Sequence, residues 1–368
     1  MAQQILNGIE HLNGVVADSR KVMLVCDGSF PFLSIKTAVE SIGVPFVKFD
    51  QFTPNPLYED VCKGVELFNR EQCDTILAVG GGSTIDVAKC IKLYCRMPAD
   101  KLFLEQEYHD TGVQLIAIPT TAGTGSESTR FAVIYYGGKK QSVTHESIIP
   151  NVAILEPQVL KTLPVYQKKC TMMDALCQGI ESWWSVNSTD ESRCLSEKAV
   201  TTIMHWWRDY IFDNSDEAAR QVMAAANLAG RAICITQTTA PHAFSYKITS
   251  LYKLPHGHAV AVCLPEIWQY MQSHPDRCID RRGTGYLQAT FKEIAQAMQV
   301  ADVPSAIGCF REMMKVLGLQ NPVSSEKRDE ELHTLSTSVN PIRLRNNPVE
   351  LDAEAIIGLY HTIIDKPL

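Results

Sequence analysis

The chain carries the run Ala78-Val79-Gly80-Gly81-Gly82-Ser83-Thr84-Ile85-Asp86-Val87-Ala88-Lys89, in which three glycines join an apolar strand to the start of a helix. Ser83 or Thr84 could cap that helix. Glycines remove the Cβ atoms that would keep a ligand off the backbone, and the free N–H groups of a helix start attract phosphate. We therefore predict nucleotide binding at Gly80, Gly81, Gly82 and Ser83; the alternative is a tight turn without a ligand.

A second loop, Pro119–Glu127, follows another predicted strand and is rich in hydroxyls and glycines. Such a loop suits contacts with ribose or phosphate oxygens. Neither loop has the G-x-G-x-x-G spacing of the Rossmann motif or the G-K-[ST] ending of the P-loop. The glycines alone therefore indicate a nucleotide without identifying it.

Composition narrows the class of protein. A length of 368 residues predicts two domains, and 45% apolar with 20% charged residues is ordinary for a globular protein. The net charge of −7 argues against a nucleic-acid partner. Residues 1–14 lack a secretory signal pattern, and no apolar run approaches the ~20 residues that cross a bilayer. We therefore expect a cytoplasmic protein with no membrane partner. Its twelve cysteines form no C-x-x-C pair and, without a secretory signal, are expected to be reduced thiols.

The pattern of apolar residues changes along the chain. Short apolar runs alternate with helical segments over residues 1–155, which predicts an α/β domain with a mainly parallel sheet. Its predicted strands include Val22–Cys26, Leu115–Ile118 and Phe131–Tyr135, and a helix is expected near Phe32–Ile42. Helical periodicity dominates residues 156–368, which predicts a helical second domain.

Four oxygen- or nitrogen-bearing side chains in the second half could surround one divalent metal ion. Asp174 and Gln178 stand four residues apart on a predicted helix and so share one face. His242 and His256 follow later in the chain. The alternative is that these are unrelated core or surface residues, because spacing alone does not establish a metal site.

Taken together, these motifs resemble the iron-dependent, or group III, alcohol dehydrogenases, which share their architecture with glycerol dehydrogenase and dehydroquinate synthase. The resemblance spans nearly the whole chain. It rests on four ordered segments: Gly80–Ser83 with Asp86 and Lys89, Pro119–Glu127, Asp174–Leu176 with Glu181, and Pro255–Gly257. It implies a Rossmann-like dinucleotide-binding domain followed by an all-helical metal domain, and a homodimer.

The resemblance implies that Asp174, His242 and His256 bind the metal and take part in catalysis. The expected ion is Fe²⁺ or Zn²⁺, with Mn²⁺ as a further candidate. The chain departs from the family pattern at Gln178, where the fourth ligand is usually histidine; the amide could still ligate, or leave room for water. It departs again at Tyr246, where many members have histidine; the phenol could relay a proton or form a pocket wall.

The resemblance also implies which residues bind the cofactor. Asp27 lies where an acid hydrogen-bonds the adenosine ribose, and a carboxylate there favours NAD(H) over NADP(H) because it repels a 2′-phosphate. Thr120, Thr121 and Thr124 are expected along the pyrophosphate and ribose, and Lys140 beside the nicotinamide ribose. The alternatives are a surface acid for Asp27 and a surface lysine for Lys140.

The expected reaction is NADH-linked reduction of an aldehyde to the corresponding alcohol at the metal. The segments Ser126–Phe131, Asp174–Trp184 and Pro241–Lys247 are most similar to the branch that reduces phosphonoacetaldehyde or sulfoacetaldehyde. Arg130 and Lys247 would suit the anionic group of such a substrate, although Arg130 could instead pair with an acid and Lys247 could face solvent. His145, His258, Arg343 and Arg345 are further cationic candidates.

Other functions remain as alternatives to this one. The chain could oxidise a small uncharged alcohol or diol. A lyase similar to dehydroquinate synthase would need more basic residues for its substrate than we find in the equivalent segments. Because Gln178 and Tyr246 replace usual histidines, a nucleotide-binding protein without catalysis is also an alternative.

Overall fold

The computed structural model describes residues 3–339 and 341–365. The chain forms two compact units. The first comprises the chain up to Leu163 together with Asn214–Gly230, and the second comprises Pro164–Asp213 and the chain from Arg231 onward. Among the described residues, no helix combines the length and apolar character needed to span a bilayer.

A six-stranded parallel sheet lies at the centre of the first unit. The strands of this unit are β1 Gln4–Asn7, β2 Val22–Cys26, β3 Phe46–Phe49, β4 Thr75–Gly80, β5 Gln114–Pro119, β6 Phe131–Tyr136, β7 Lys139–Thr144 and β8 Val152–Leu155. The sheet order is β1-β8-β5-β4-β2-β3, and every neighbouring pair in it is parallel. Strands β2 and β4 are buried along their whole length, as expected for continuous apolar strands covered on both faces.

The described residues form fourteen α-helices. They are α1 Leu12–Val16, α2 Lys36–Glu40, α3 Tyr58–Arg70, α4 Gly82–Tyr94, α5 Val165–Trp184, α6 Asp190–Ile211, α7 Asp216–Thr236, α8 Ala240–Tyr252, α9 His256–Ser273, α10 Thr284–Ala297, α11 Val303–Leu317, α12 Arg328–Thr337, α13 Pro341–Leu344 and α14 Ala353–Ile363. Helix α5 is the core element of the second unit, because it is buried almost continuously from Met172 and packs against α6 and α9.

The predicted fold class is confirmed: a parallel α/β unit is followed by helices. The predicted strand Phe131–Tyr135 is confirmed as β6, whereas the helix expected over Phe32–Ile42 is shorter than predicted. Phe131–Tyr136 does not join the parallel sheet but pairs antiparallel with β7 in a separate hairpin, closed by Gly137 and Gly138 at positive φ. The helix expected over Phe32–Ile42 is reduced to Lys36–Glu40, after a 3₁₀ turn at Phe30–Phe32 that contains Pro31.

Candidate metal centre and cofactor site

Three side chains of the second unit converge on one point. Each of Asp174, His242 and His256 offers a ligand atom, and these atoms all lie within 4.8 Å of one another. The His242 Nε2 is 3.3 Å from Asp174 Oδ1, and the two imidazole rings meet edge-on with centroids 5.2 Å apart. One carboxylate and two imidazoles form a donor set that suits Fe²⁺ or Zn²⁺.

A close helix crossing produces this convergence. His256 is the first residue of α9, and Gly257 follows it. A Cβ built on Gly257 would lie 2.0 Å from the Cys170 carbonyl oxygen and 2.8 Å from the Asp174 Cβ. Only glycine therefore allows α9 to approach α5 closely enough to bring His256 beside Asp174.

Glu181 fixes the orientation of His242. Its Oε1 lies 2.5 Å from His242 Nδ1, and its Oε2 accepts hydrogen bonds from the backbone N–H of Thr239 at 2.8 Å and its hydroxyl at 2.9 Å. A carboxylate at Nδ1 assigns the proton to that nitrogen and leaves Nε2 for a metal. Sequence reasoning placed Glu181 in the ligand helix without giving it this role; its position seven residues after Asp174, on the same helix face, was the available signal.

The electrostatics of the three residues favour a bound cation. Burial alone would lower the pKa of His242, but Glu181 and Asp174 outweigh it and raise the pKa to about 9. Burial would raise the pKa of Asp174, yet His242 and His256 hold it below its usual range. Within the described residues Asp174 Oδ1 is buried and accepts no hydrogen bond. A buried carboxylate oxygen in that state, beside two imidazoles, fits a metal ligand.

Two predicted site residues lie next to this cluster. Gln178 is buried one helical turn after Asp174 and hydrogen-bonds its carboxylate. Its ligation of a metal stays a prediction. Tyr246 stacks on His256, with ring centroids 6.1 Å apart and planes 18° apart. Burial raises the pKa of the Tyr246 phenol, so the phenol is protonated at neutral pH.

The predicted cofactor residues of the first unit, apart from Lys140, follow the carboxyl ends of three adjacent strands. Asp27 follows β2, Gly81 follows β4 and Thr120 follows β5. The chain leaves β2 for β3 on one side and later returns to β4 on the other, which makes the β2–β4 boundary the topological switch point of the sheet. Ligands of open α/β sheets bind at such points.

Contacts between side chains hold this edge together. The Thr84 hydroxyl donates to Asp27 Oδ2 at 2.7 Å, and the Ser29 N–H donates to Asp27 Oδ1 at 2.8 Å. The backbone N–H of Thr120 donates to the Gly80 carbonyl at 3.0 Å. Neither predicted cap was right: the N-cap of α4 is Gly81, because the helix already begins at Gly82.

The three glycines of the turn between β4 and α4 have different structural roles. A Cβ on Gly80 would lie 2.3 Å from the Thr84 hydroxyl oxygen, and one on Gly82 would lie 2.9 Å from a Thr124 methyl. A Cβ on Gly81 would meet only Thr121, at 3.6 and 3.8 Å. Gly80 and Gly82 are therefore needed for packing, whereas the space beside Gly81 and the first N–H groups of α4 can receive a phosphate.

Asp86 and Lys89 hold the second loop in place. Lys89 is fully buried, and its Nζ donates to Ser126, Thr129 and the carbonyl of Phe131 at 2.7–3.0 Å. Asp86 accepts from the Ser126 hydroxyl at 2.7 Å. Asp86 and Lys89 therefore position the second loop. The resemblance, which grouped them with the predicted phosphate-binding turn, did not indicate this role.

The predicted cations differ in their surroundings. Lys140 is exposed on β7, and its charge opposes the rise that burial causes in the pKa of Asp86. Arg130 forms an ion pair with Glu146 and lies over the Phe131 ring. Lys247 is half-buried on α8. The cofactor role of Lys140 and the substrate roles of Arg130 and Lys247 stay predictions.

Comparison with known sequences gives matches over both units. Residues 5–157 match the family described as iron-containing alcohol dehydrogenase, and residues 169–364 match the C-terminal family of Fe-containing alcohol dehydrogenases. The chain is 33% identical to the phosphonoacetaldehyde reductase of Streptomyces viridochromogenes over 77% of its own length and 75% of that protein. It is 31% identical to the probable alcohol dehydrogenase EutG of Escherichia coli, over 83% of the chain and 76% of EutG.

Solved structures agree with the fold. The iron-containing alcohol dehydrogenase of Thermococcus thioreducens superposes with a TM-score of 0.88 at 26% identity, covering 98% of both chains. The sulfoacetaldehyde reductase of Bifidobacterium kashiwanohense, solved with NAD⁺, has a TM-score of 0.86 at 24% identity, covering 98% of this chain and 96% of that one. At 24% identity the second likeness is evidence of fold alone.

Proposed function

Because the chain belongs to the iron-containing alcohol dehydrogenase family, we propose that it reduces a small anionic aldehyde, sulfoacetaldehyde or phosphonoacetaldehyde, to its alcohol with NADH. The family makes the chain an oxidoreductase. The observation that carries the proposal is the cluster of buried Asp174 and His242 with partly buried His256. The anionic substrate is supported by the 33% identity to a phosphonoacetaldehyde reductase.

The second unit would hold the metal through those three side chains, with Gln178 as the predicted fourth ligand. When bound, a divalent cation at this cluster polarises the carbonyl oxygen and stabilises the charge that develops on it. Glu181 keeps His242 Nε2 directed at the cluster. Tyr246 carries a proton on its phenol oxygen beside His256; it would either pass that proton to the alcohol oxygen or act as a wall of the pocket.

The first unit would hold NAD(H). The pyrophosphate would bind at Gly81, Gly82 and Ser83, where backbone N–H groups begin α4. Asp27 would accept hydrogen bonds from the adenosine ribose and disfavour a 2′-phosphate. In the overall reaction, aldehyde, NADH and one proton give alcohol and NAD⁺.

A small uncharged alcohol is the second candidate substrate. The relatives include EutG at 31% identity and an NAD-dependent methanol dehydrogenase of Bacillus methanolicus at 30%, so similarity to the family alone does not select an anionic substrate.

The homodimer and the cytoplasmic location also stay predictions.

Metal analysis and a substrate panel test this function. Purified protein is reconstituted with Fe²⁺, Mn²⁺ or Zn²⁺, and NADH oxidation is followed with acetaldehyde, glyceraldehyde, sulfoacetaldehyde and phosphonoacetaldehyde. We expect metal-dependent turnover with the highest kcat/KM for an anionic aldehyde. Equal kcat/KM values for charged and uncharged aldehydes would favour the second candidate. NADH binding without turnover of any of them would support a protein that binds nucleotide only.

A further inference from the structure

Arg343 is a cation of the second unit that the structure connects to the candidate metal centre. It lies on α13, a short helix that packs against α8. Its guanidinium donates to Gln237 Oε1 at 2.7 Å and is hydrogen-bonded to the Tyr246 phenol. Tyr246 in turn stacks on His256. One aromatic side chain therefore contacts Arg343 at its hydroxyl and a candidate metal ligand at its face.

Gln237 and Tyr246, which hold the guanidinium in place, are both neutral. A guanidinium has five N–H donors in a planar fork, so binding Gln237 and Tyr246 is compatible with binding an anion as well. Arg343 is also only partly buried.

Gln237 and Asn346 stabilise the segment that presents this guanidinium. Gln237 has a positive φ of 59°, a conformation that a non-glycine residue keeps only when its surroundings hold it. Its side-chain oxygen also accepts from Asn346 Nδ2 at 3.4 Å, and the same amide donates to the Thr238 carbonyl at 3.1 Å. The loop that follows α7 and the segment that carries Arg343 are thus fixed to each other.

We propose that Arg343 binds the sulfonate or phosphonate group of the substrate and so determines the preference for an anionic aldehyde. This inference rests on the proposed function. A two-carbon aldehyde carries its anionic group on the carbon next to the carbonyl, so the group that recognises the anion has to lie close to the metal ligands. Arg343, in contact with Tyr246, meets that requirement, and its planar fork matches the oxygens of a sulfonate or phosphonate.

The test compares charged and uncharged substrates in one set of variants of the metal- and NADH-loaded enzyme. Arg343→Ala should lower kcat/KM for the anionic aldehyde about 30-fold or more, as loss of a charge-paired contact does, while acetaldehyde changes little. Arg343→Lys keeps the charge without the fork and should retain part of the preference. Arg281→Ala, which removes an exposed arginine of the same unit, should leave both substrates unchanged.

A binding measurement complements the kinetic comparison. It uses a second variant, so that the proposal stays testable if the Arg343→Ala protein does not fold. Arg343→Gln keeps much of the length and the hydrogen bonding, and ethylphosphonate and ethanesulfonate serve as unreactive probes. In the wild type with NAD⁺ bound, they should raise Tm and inhibit competitively; in Arg343→Gln both effects should weaken by a similar factor.

The outcomes separate this inference from the proposed function. If the wild type prefers anionic aldehydes and the variants at position 343 keep that preference, the proposed role of Arg343 is wrong and the proposed function stands. A wild type without that preference would overturn the proposed substrate class, and the role of Arg343 with it.

Discussion

A methyl group added to Gly257 would stand 2.0 Å from the carbonyl oxygen of Cys170. The two residues mark the closest approach of α9 to α5, and His256 and Asp174 lie beside it. The metal centre therefore depends on a backbone contact as much as on its ligands. Gly257→Ala should force the helices apart, cost about 1–3 kcal/mol of stability as overpacking does, and lower metal content.

Gly308→Ala is the matched control. It lies in α11, is exposed, and an added Cβ would meet nothing within 4 Å. This change should stabilise the protein by about 0.5–1 kcal/mol and leave the metal bound. Denaturant unfolding and metal analysis compare the two, and a Gly257→Ala protein with full metal content would show that the crossing can relax without moving His256.

Removing either candidate histidine ligand should abolish turnover. We expect His242→Ala and His256→Ala to lose bound metal while NADH binding persists, because the predicted cofactor residues belong to the other unit. Nucleotide fluorescence titration and metal analysis measure the two properties separately. His205→Ala, an exposed histidine on α6, is the control; undiminished activity in either ligand variant would refute the metal assignment.

Glu181 is a positioning residue, and its effect should appear in metal affinity. Glu181→Gln replaces the carboxylate that holds His242 Nδ1, so the apparent Kd for the metal should rise about 10–100-fold, as loss of an outer-shell carboxylate does. Competition with a chelator measures this Kd. Glu293→Gln removes a half-exposed carboxylate of the same unit and should not change it. Equal affinities in the two variants would contradict the role of Glu181.

Asp27 should set the preference between the two nicotinamide cofactors. Asp27→Gly removes the carboxylate that would repel a 2′-phosphate, and we expect kcat/KM for NADPH relative to NADH to rise about tenfold, which corresponds to ~1.4 kcal/mol. Thr84→Val is the control, because it removes the 2.7 Å hydrogen bond to Asp27 but keeps the charge. If both variants change the NADPH-to-NADH ratio of kcat/KM equally, the ordering of the loop, and not the charge of the Asp27 carboxylate, determines the cofactor preference.

Gln178→His should keep or tighten metal binding. Imidazole is the usual ligand at this place in the family, and Gln178 already contacts Asp174 within the cluster. Gln167→His adds an imidazole at an exposed position of the same helix and serves as the control. If no substitution at position 178 changes the metal affinity, this side chain does not face the ion.

The sequence was sufficient to predict the elements whose cause is local. Continuous apolar runs indicated β2, β4 and β5 because strands covered on both faces need no polar residue. The glycine run indicated the turn into α4. The spacing of Asp174 and Gln178 indicated a shared helix face, since helical geometry alone decides it.

Only the tertiary structure decided which of these elements meet. Nothing local to His242 or His256 shows that they reach Asp174; their convergence depends on the close crossing that Gly257 permits between α9 and α5. The same holds for Arg343, whose contacts with Gln237 and Tyr246 come from segments far apart in the chain. Periodicity and turn chemistry act over a few residues, whereas packing joins residues by shape and burial without regard to their separation in sequence.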